Sequence, residues 1–340
     1  MKYYISRDNG IVKVTLENNR GMRIETVSAG ASLMSVYVPD RNGEFKNVLL
    51  SHERPEDYLV NPCFFGSTMG PNTGRMENGR LPIGDREYEL SHNEGKHNSH
   101  GGFENLARRN WEFTGVFSGD GMAASFETTL RNGVDGYPGN RVFNAEYRLF
   151  ENNTLEITYT AKSDAATYVN MTSHAYFNLS GDFHRDIYDH NLRIAADYVV
   201  LSDEELISRS KVPVAGTCFD FRKETCIGTA KSSGARLSNE IKNDDGYNHA
   251  FILNDAKRSI TLSHEPSGRK VDISSGAPAV VIYDGYYLEG DSCVPHGAVA
   301  IECEDVPNSP NLKWTDTEFL LPGEKYENRI AFKFGLIHDI

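Results

Sequence analysis

The feature that most constrains the fold is a period-two alternation of apolar and polar residues that recurs along the chain. In residues 154–161, Leu155, Ile157, Tyr159 and Ala161 fall on one face of an extended backbone, and Thr154, Glu156, Thr158 and Thr160 on the other. Segments of strand length, rich in β-branched and aromatic residues, also occur at 11–16, 22–27, 32–38, 111–117 and 142–150. The chain is punctuated by Asn9-Gly10, Asn42-Gly43, Asn78-Gly79, Asp245-Gly246, Asp284-Gly285 and Glu289-Gly290, turn formers that tolerate positive φ. Helical periodicity is confined to short stretches at 54–59 and 235–241. No helices alternate regularly with strands, as a parallel α/β sheet would require. The pattern predicts an all-β fold, a large antiparallel β-sandwich.

No fixed-period repeat and no Pro/Gly/Ser linker separates two cores, so a single domain over residues 1–340 is expected. The loop at 182–189 reads as a surface excursion. A formal net charge of −13 repels phosphate backbones and anionic membrane surfaces, which argues against nucleic acid and membrane partners. No stretch approaches the roughly 20 apolar residues of a spanning helix, and the N-terminus lacks the apolar region of a secretion signal. Cys63, Cys218, Cys226, Cys293 and Cys303 are odd in number and scattered, without the spacing of a zinc or redox motif. They read as free thiols in a reducing, cytoplasmic compartment, where the sequons at Asn170 and Asn178 carry no glycan.

Three segments could carry chemistry. In Asn98-Ser99-His100-Gly101-Gly102, two glycines would let backbone approach a ligand without a Cβ in the way, although a turn with an incidental histidine fits as well. In residues 170–179, strand geometry puts His174, Tyr176 and Asn178 on one face. An imidazole, a phenol and an amide together suit a wet cleft or a satisfied polar ladder within a sheet. In Ala298-Val299-Ala300-Ile301-Glu302-Cys303-Glu304-Asp305, Glu302 and Glu304 project from the same face. Two such carboxylates can raise one another's pKa toward neutrality, while a solvated acidic strand end gives the same pattern. Serine-hydrolase elbows, phosphate loops, dinucleotide fingerprints and metalloprotease helices are all missing from the sequence.

Taken in order and spacing, these segments resemble the aldose 1-epimerase (galactose mutarotase) family over essentially the whole chain. The resemblance rests on residues 70–75 with the strand downstream, Asn98 to Gly102, Asn170 to Leu179, Gly246-Tyr247-Asn248-His249 and residues 298–307. It implies a galactose mutarotase-like β-supersandwich with an open cleft, no cofactor and no metal. By that resemblance Glu302 is the base that takes the proton from the anomeric hydroxyl, and His174 is the acid that protonates the ring oxygen. Arg75 and His100 hold the sugar, with Asn248 and Glu304 also in contact with it. The implied partner is a free monosaccharide and the implied assembly a monomer or weak homodimer.

The sequence departs from the family pattern at four positions. Asn248 stands where the family has Asp, Gly74 where it has Asn, and Ala277 where a Gln is expected in the strand before Tyr283. The family's Glu-x-Gln is Glu302-Cys303-Glu304. One expectation is that Glu304 replaces the charge missing at Asn248. Two other functions remain open on these residues. One is a non-catalytic carbohydrate-binding or regulatory paralogue. The other is a hexose-6-phosphate 1-epimerase, which requires an Arg/Lys cluster that the sequence does not reveal.

Overall fold

The computed structural model describes residues 1–232, 246–254, 260–290 and 292–337. The alternation seen in the sequence becomes antiparallel sheet throughout. Strands Lys2–Asp8, Ile11–Glu17, Arg23–Val27, Ser32–Pro39 and Phe45–Asn47 pair in sequential order as a five-stranded sheet. A nine-stranded sheet runs from Glu112–Ser118 through Met122–Leu130, Arg141–Leu149 and Thr154–Ser163 to the C-terminal strand Tyr326–Leu336. It then continues through Arg269–Ser275, Ile260–His264, Asn191–Ile194 and Thr225–Cys226. A six-stranded sheet orders Tyr176–Phe177, Val299–Glu304, Ala279–Tyr283, Asn248–Leu253, Ala196–Ser202 and Ser208–Pro213.

Strand Thr154–Ser163 behaves as its sequence dictates: Leu155, Ile157, Tyr159 and Ala161 are buried, and the residues between them are not. All three large sheets contribute to one apolar core, with Val14 and Ile24 from the first, Phe126 and Ile157 from the second, and Val280 and Ile301 from the third. The expected helix at 54–59 is a 3-10 turn, Pro55–Val60, with Pro at its start. The one expected at 235–241 lies outside the described residues. Among the described residues, no helix is long and apolar enough to cross a membrane.

The loop at 182–189 is anchored by a polar clamp. His190 Nε2 accepts the Leu179 N–H at 3.0 Å, so its Nδ1–H donates to Asp189 Oδ1 at 3.0 Å. His264 Nδ1 accepts the Ser267 N–H at 3.3 Å, so its Nε2–H donates to the other Asp189 oxygen at 3.3 Å. These bonds hold the Asp189 carboxyl down at about 2 and commit both imidazoles to structure.

Candidate active site

The two-residue period builds the floor of a cleft. On strand Val299–Glu304, Val299, Ile301 and Cys303 enter the core, while Glu302 and Glu304 face a cleft of about 450 Å³, within the ordinary range of small-molecule sites. Opposite Glu302 on the neighbouring strand is Val281, and opposite Val281 is Ala250, so this rung sets one carboxyl beside two apolar side chains in a row. Far from being solvated, Glu302 and Glu304 are 3% and 1% exposed.

Short ladders deliver the other groups. Ser99 pairs with Arg75, and the His100 N–H donates to Gly74 O at 2.9 Å, which closes the 25-residue separation between Arg75 and His100. Ser173 pairs with Thr68, and the His174 backbone bonds to Ser67 and Gly66 at 2.9 Å on either side. His174 Nε2 then lies 3.6 Å from Glu302 Oε1, and its ring centroid is 5.8 Å from that of His100. Arg75, His100, His174, Asn248, Glu302 and Glu304 all line the one cleft.

Burial sets the protonation states. Loss of hydration pushes the Glu302 carboxyl up to about 8, and it drives the His174 imidazole down to about 3 with help from nearby His100. His100 is held at about 3 by burial and by the Arg75 charge. Its Nδ1 accepts the Gly74 N–H at 3.3 Å, so its proton resides on Nε2. Glu304 is raised well above the carboxylate range by burial, by Glu302 and by Asp305. Among the described residues, Nδ1 of His174 and Oε2 of both Glu302 and Glu304 have no hydrogen-bond partner, a costly condition that a polyhydroxyl ligand would relieve.

Several sequence expectations need correction. The residues from His174 to Asn178 do not form one continuous strand. The ladder breaks after Ser173 and resumes at Tyr176 in a different sheet, so His174 and Tyr176 both line the cleft while Asn178 does not. Asn178 is buried and donates to Gly297 O at 2.8 Å and Asp182 O at 3.1 Å, fixing a loop. The glycines after His100 serve packing and not ligand approach. A Cβ on Gly101 would lie 2.6 Å from Gly70 O, and one on Gly102 2.3 Å from Asp135 Cγ. Ala277 precedes the strand Ala279–Tyr283 and lies away from the cleft, which Val281 and Tyr283 of that strand line. Glu304 lines the same cleft as Asn248 but not at the same place. It pairs across to Ala279 and thence to Ile252, four residues along from Asn248. Strand rise and spacing put the two Cα atoms roughly 16 Å apart.

Sequence reasoning missed other parts of the cleft. Glu94 Oε1 accepts both Arg75 Nε at 2.8 Å and Nη2 at 2.6 Å, orienting the guanidinium. Phe64, at φ 58, lies 5.3 Å from the His100 ring and 6.1 Å from the His174 ring, with Arg108 over its face at 5.0 Å. A bulky residue in the left-handed region is a signal visible only in the backbone. Tyr176, Tyr283, Tyr286 and Tyr287 form an aromatic wall with successive ring centroids 6.0, 5.0 and 4.4 Å apart, a surface suited to the apolar face of a flat ligand. Asn248 donates to Tyr286 Oη at 3.3 Å.

The aldose 1-epimerase family model matches residues 12–333. Mouse galactose mutarotase is 32% identical over 326 residues, covering 93% of this chain and 92% of its own. Aldose 1-epimerase of Escherichia coli K12 is 32% identical over 336 residues, covering 94% of each chain. The crystal structure of galactose 1-epimerase from Lactobacillus acidophilus NCFM superposes with a TM-score of 0.87 at 31% identity, covering 99% of both chains. With an imidazole and a neutral-range carboxyl meeting in a cleft on this scaffold, the chain belongs to the aldose 1-epimerase family, the isomerases that interconvert the α and β anomers of aldoses.

Proposed function

We propose that the substrate is a free aldohexose, that Glu302 and His174 exchange protons with it, and that Arg75, His100, Asn248 and Glu304 read its hydroxyls. The observation carrying this reading is the 3.6 Å contact between Glu302 and His174 in the cleft. The pair holds one proton, which rests on Glu302 because burial pushes its carboxyl up to about 8 and the His174 imidazole down to about 3.

Ring opening starts from the tautomer with that proton on His174. Glu302 takes the proton of the anomeric hydroxyl, His174 gives its proton to the ring oxygen, the C1–O5 bond breaks and C1=O1 forms. The pair is left as neutral Glu302 and neutral imidazole, its resting state. Rotation about C1–C2 exposes the other carbonyl face. Glu302 then returns its proton to O1, His174 takes the proton from the C5 hydroxyl, and the ring closes as the other anomer. Each transfer contributes on the order of 10²–10⁴-fold.

Reaching the reactive tautomer is uphill, because burial raises the Glu302 carboxyl and lowers the His174 imidazole. The attraction of the ion pair at 3.6 Å and sugar hydroxyls donating to the ionised carboxylate offset that cost. Burial raises the Glu304 carboxyl, which favours its protonated form; that form offers one O–H donor and one C=O acceptor, the functional equivalent of the carboxamide expected there.

A free sugar is favoured over a phosphorylated one because, of the two arginines that line the cleft among the described residues, Arg75 is committed to Glu94. Five unbridged cysteines fit a cytoplasmic setting. Anomer exchange measured on glucose, galactose and glucose 6-phosphate tests the reading. Acceleration of a free hexose but not of the phosphate ester is expected, whereas sugar binding with no acceleration would establish a non-catalytic paralogue.

A further inference from the structure

Natural sheets protect their edges, and among the described residues this chain does so at five of the six edges of its large sheets. Phe45–Asn47, Thr225–Cys226 and Tyr176–Phe177 are only three, two and two residues long. Glu112–Ser118 carries a register break between Phe113 and Gly115. Ser208–Pro213 faces a bulge, ends in proline, and has its Arg209 carbonyl capped by Trp314 Nε1 at 3.2 Å. The sixth edge, Lys2–Asp8, is unlike the rest. It pairs with Ile11–Glu17 in unbroken one-to-one register over all seven residues, contains no proline or bulge, and is exposed at every position. Its centre is apolar, with Tyr3, Tyr4 and Ile5 exposed by 51%, 59% and 41%.

The turn beside it fixes which backbone groups point outward. Asn9 and Gly10 have φ of 49 and 78, the signature of a two-residue type I′ hairpin, which closes on a hydrogen-bonded Asp8↔Ile11 pair. Alternation then gives Lys2, Tyr4, Ser6 and Asp8 to the neighbouring strand and turns the N–H and C=O of Tyr3, Ile5 and Arg7 outward.

We propose that strand Lys2–Asp8 is the self-association edge of this protein. Two copies would pair antiparallel about a two-fold axis at Ile5 and join their five-stranded sheets into ten strands. Around that axis residue n meets residue 10 − n, so outward groups face outward groups along the whole strand. Lys2 falls opposite Asp8 of the second copy twice over, Tyr3 meets Arg7, and Ile5 meets Ile5. The Lys2/Asp8 contacts are of the non-hydrogen-bonded kind, in which side chains lie closest. Centring on Tyr4 would set Lys2 against Ser6, and centring on Ser6 would leave Lys2 unpaired, so charge complementarity and maximal overlap select the same register. Tyr3 and Ile5 lie opposite Leu16 and Val14, on the core side of the sheet, so pairing also continues the apolar face across the axis. The contact is isologous and closed.

Sedimentation velocity on the full chain from about 1 to about 300 µM tests this. A concentration-dependent monomer–dimer equilibrium is expected. Ile5→Pro removes an outward N–H without touching the ladder to the neighbouring strand, and Asp8→Lys sets two ammonium groups against each other. Each should weaken dimerisation at least about tenfold while leaving anomerase activity unchanged, and the swap Lys2→Glu with Asp8→Lys should restore it to within about threefold. A chain that stays monomeric throughout, or a dimer indifferent to both single variants, overturns the proposal. A dimer weakened by Asp8→Lys but not rescued by the swap overturns the register.

Discussion

If the reactive species is the Glu302/His174 pair holding one proton, kcat/KM must follow the fraction of enzyme in that state. The pair loses its last proton as Glu302 ionises near 8 and gains a second only as His174 protonates near 3. The profile should be flat through neutrality and fall above pH 8, to about a tenth of the plateau at pH 9 and about a hundredth at pH 10. The alternative, in which ionised Glu302 works with a neutral imidazole N–H as the acid, gives the opposite slope: a tenfold rise per unit up to pH 8. Polarimetry on freshly dissolved α-D-glucose, corrected for hydroxide-catalysed mutarotation, separates the two. A rate that climbs from pH 6 to pH 8 would refute the one-proton pair.

Other consequences concern stability and coupling. Glu302 has a folded-state pKa above its unfolded value of 4.5, so the folded chain holds this proton between pH 4.5 and 8, and the stability that the proton confers is lost as pH rises through that window. Thermal melts should therefore show Glu302→Gln equal to the parent near pH 4 and more stable by a few kcal/mol, roughly, above pH 8; a uniform offset at all pH values contradicts the linkage. Asn248→Asp and Glu304→Gln should combine additively in kcat/KM to within about 0.5 kcal/mol, since register separates them; coupling above about 1 kcal/mol restores the idea of a transplanted charge. Gly101→Ala should lower stability by about 1–3 kcal/mol and raise KM by displacing His100, because its methyl would meet Gly70 O at 2.6 Å from a backbone at φ 85. An unchanged melting temperature would remove Gly101 from the account.

What the sequence made legible follows from range. Alternation is local, so the strand at 154–163 and the common face of Glu302 and Glu304 could be read directly. The break between Ser173 and Tyr176 could not, because it arises where the chain passes from a short ladder with Thr68 to one with Ala300. Nor could Glu94 be matched with Arg75, a contact made by a two-residue ladder that leaves no periodic trace. The carboxyls looked solvated because nothing at 298–305 announces that the neighbouring strand sets Val281 beside Glu302 and Ala279 beside Glu304. Family resemblance supplied the order of the site residues, and their protonation states emerged only with burial.

Saturation-transfer NMR between the α and β anomer signals of glucose and galactose is the most direct measurement, made on the parent, Glu302→Gln and His174→Ala after each variant is shown to melt cooperatively. The parent should accelerate exchange of at least one sugar, and each variant should lose on the order of 10²–10⁴-fold in kcat. A variant that retains near-parental exchange at either position would contradict proton transfer by the Glu302/His174 pair.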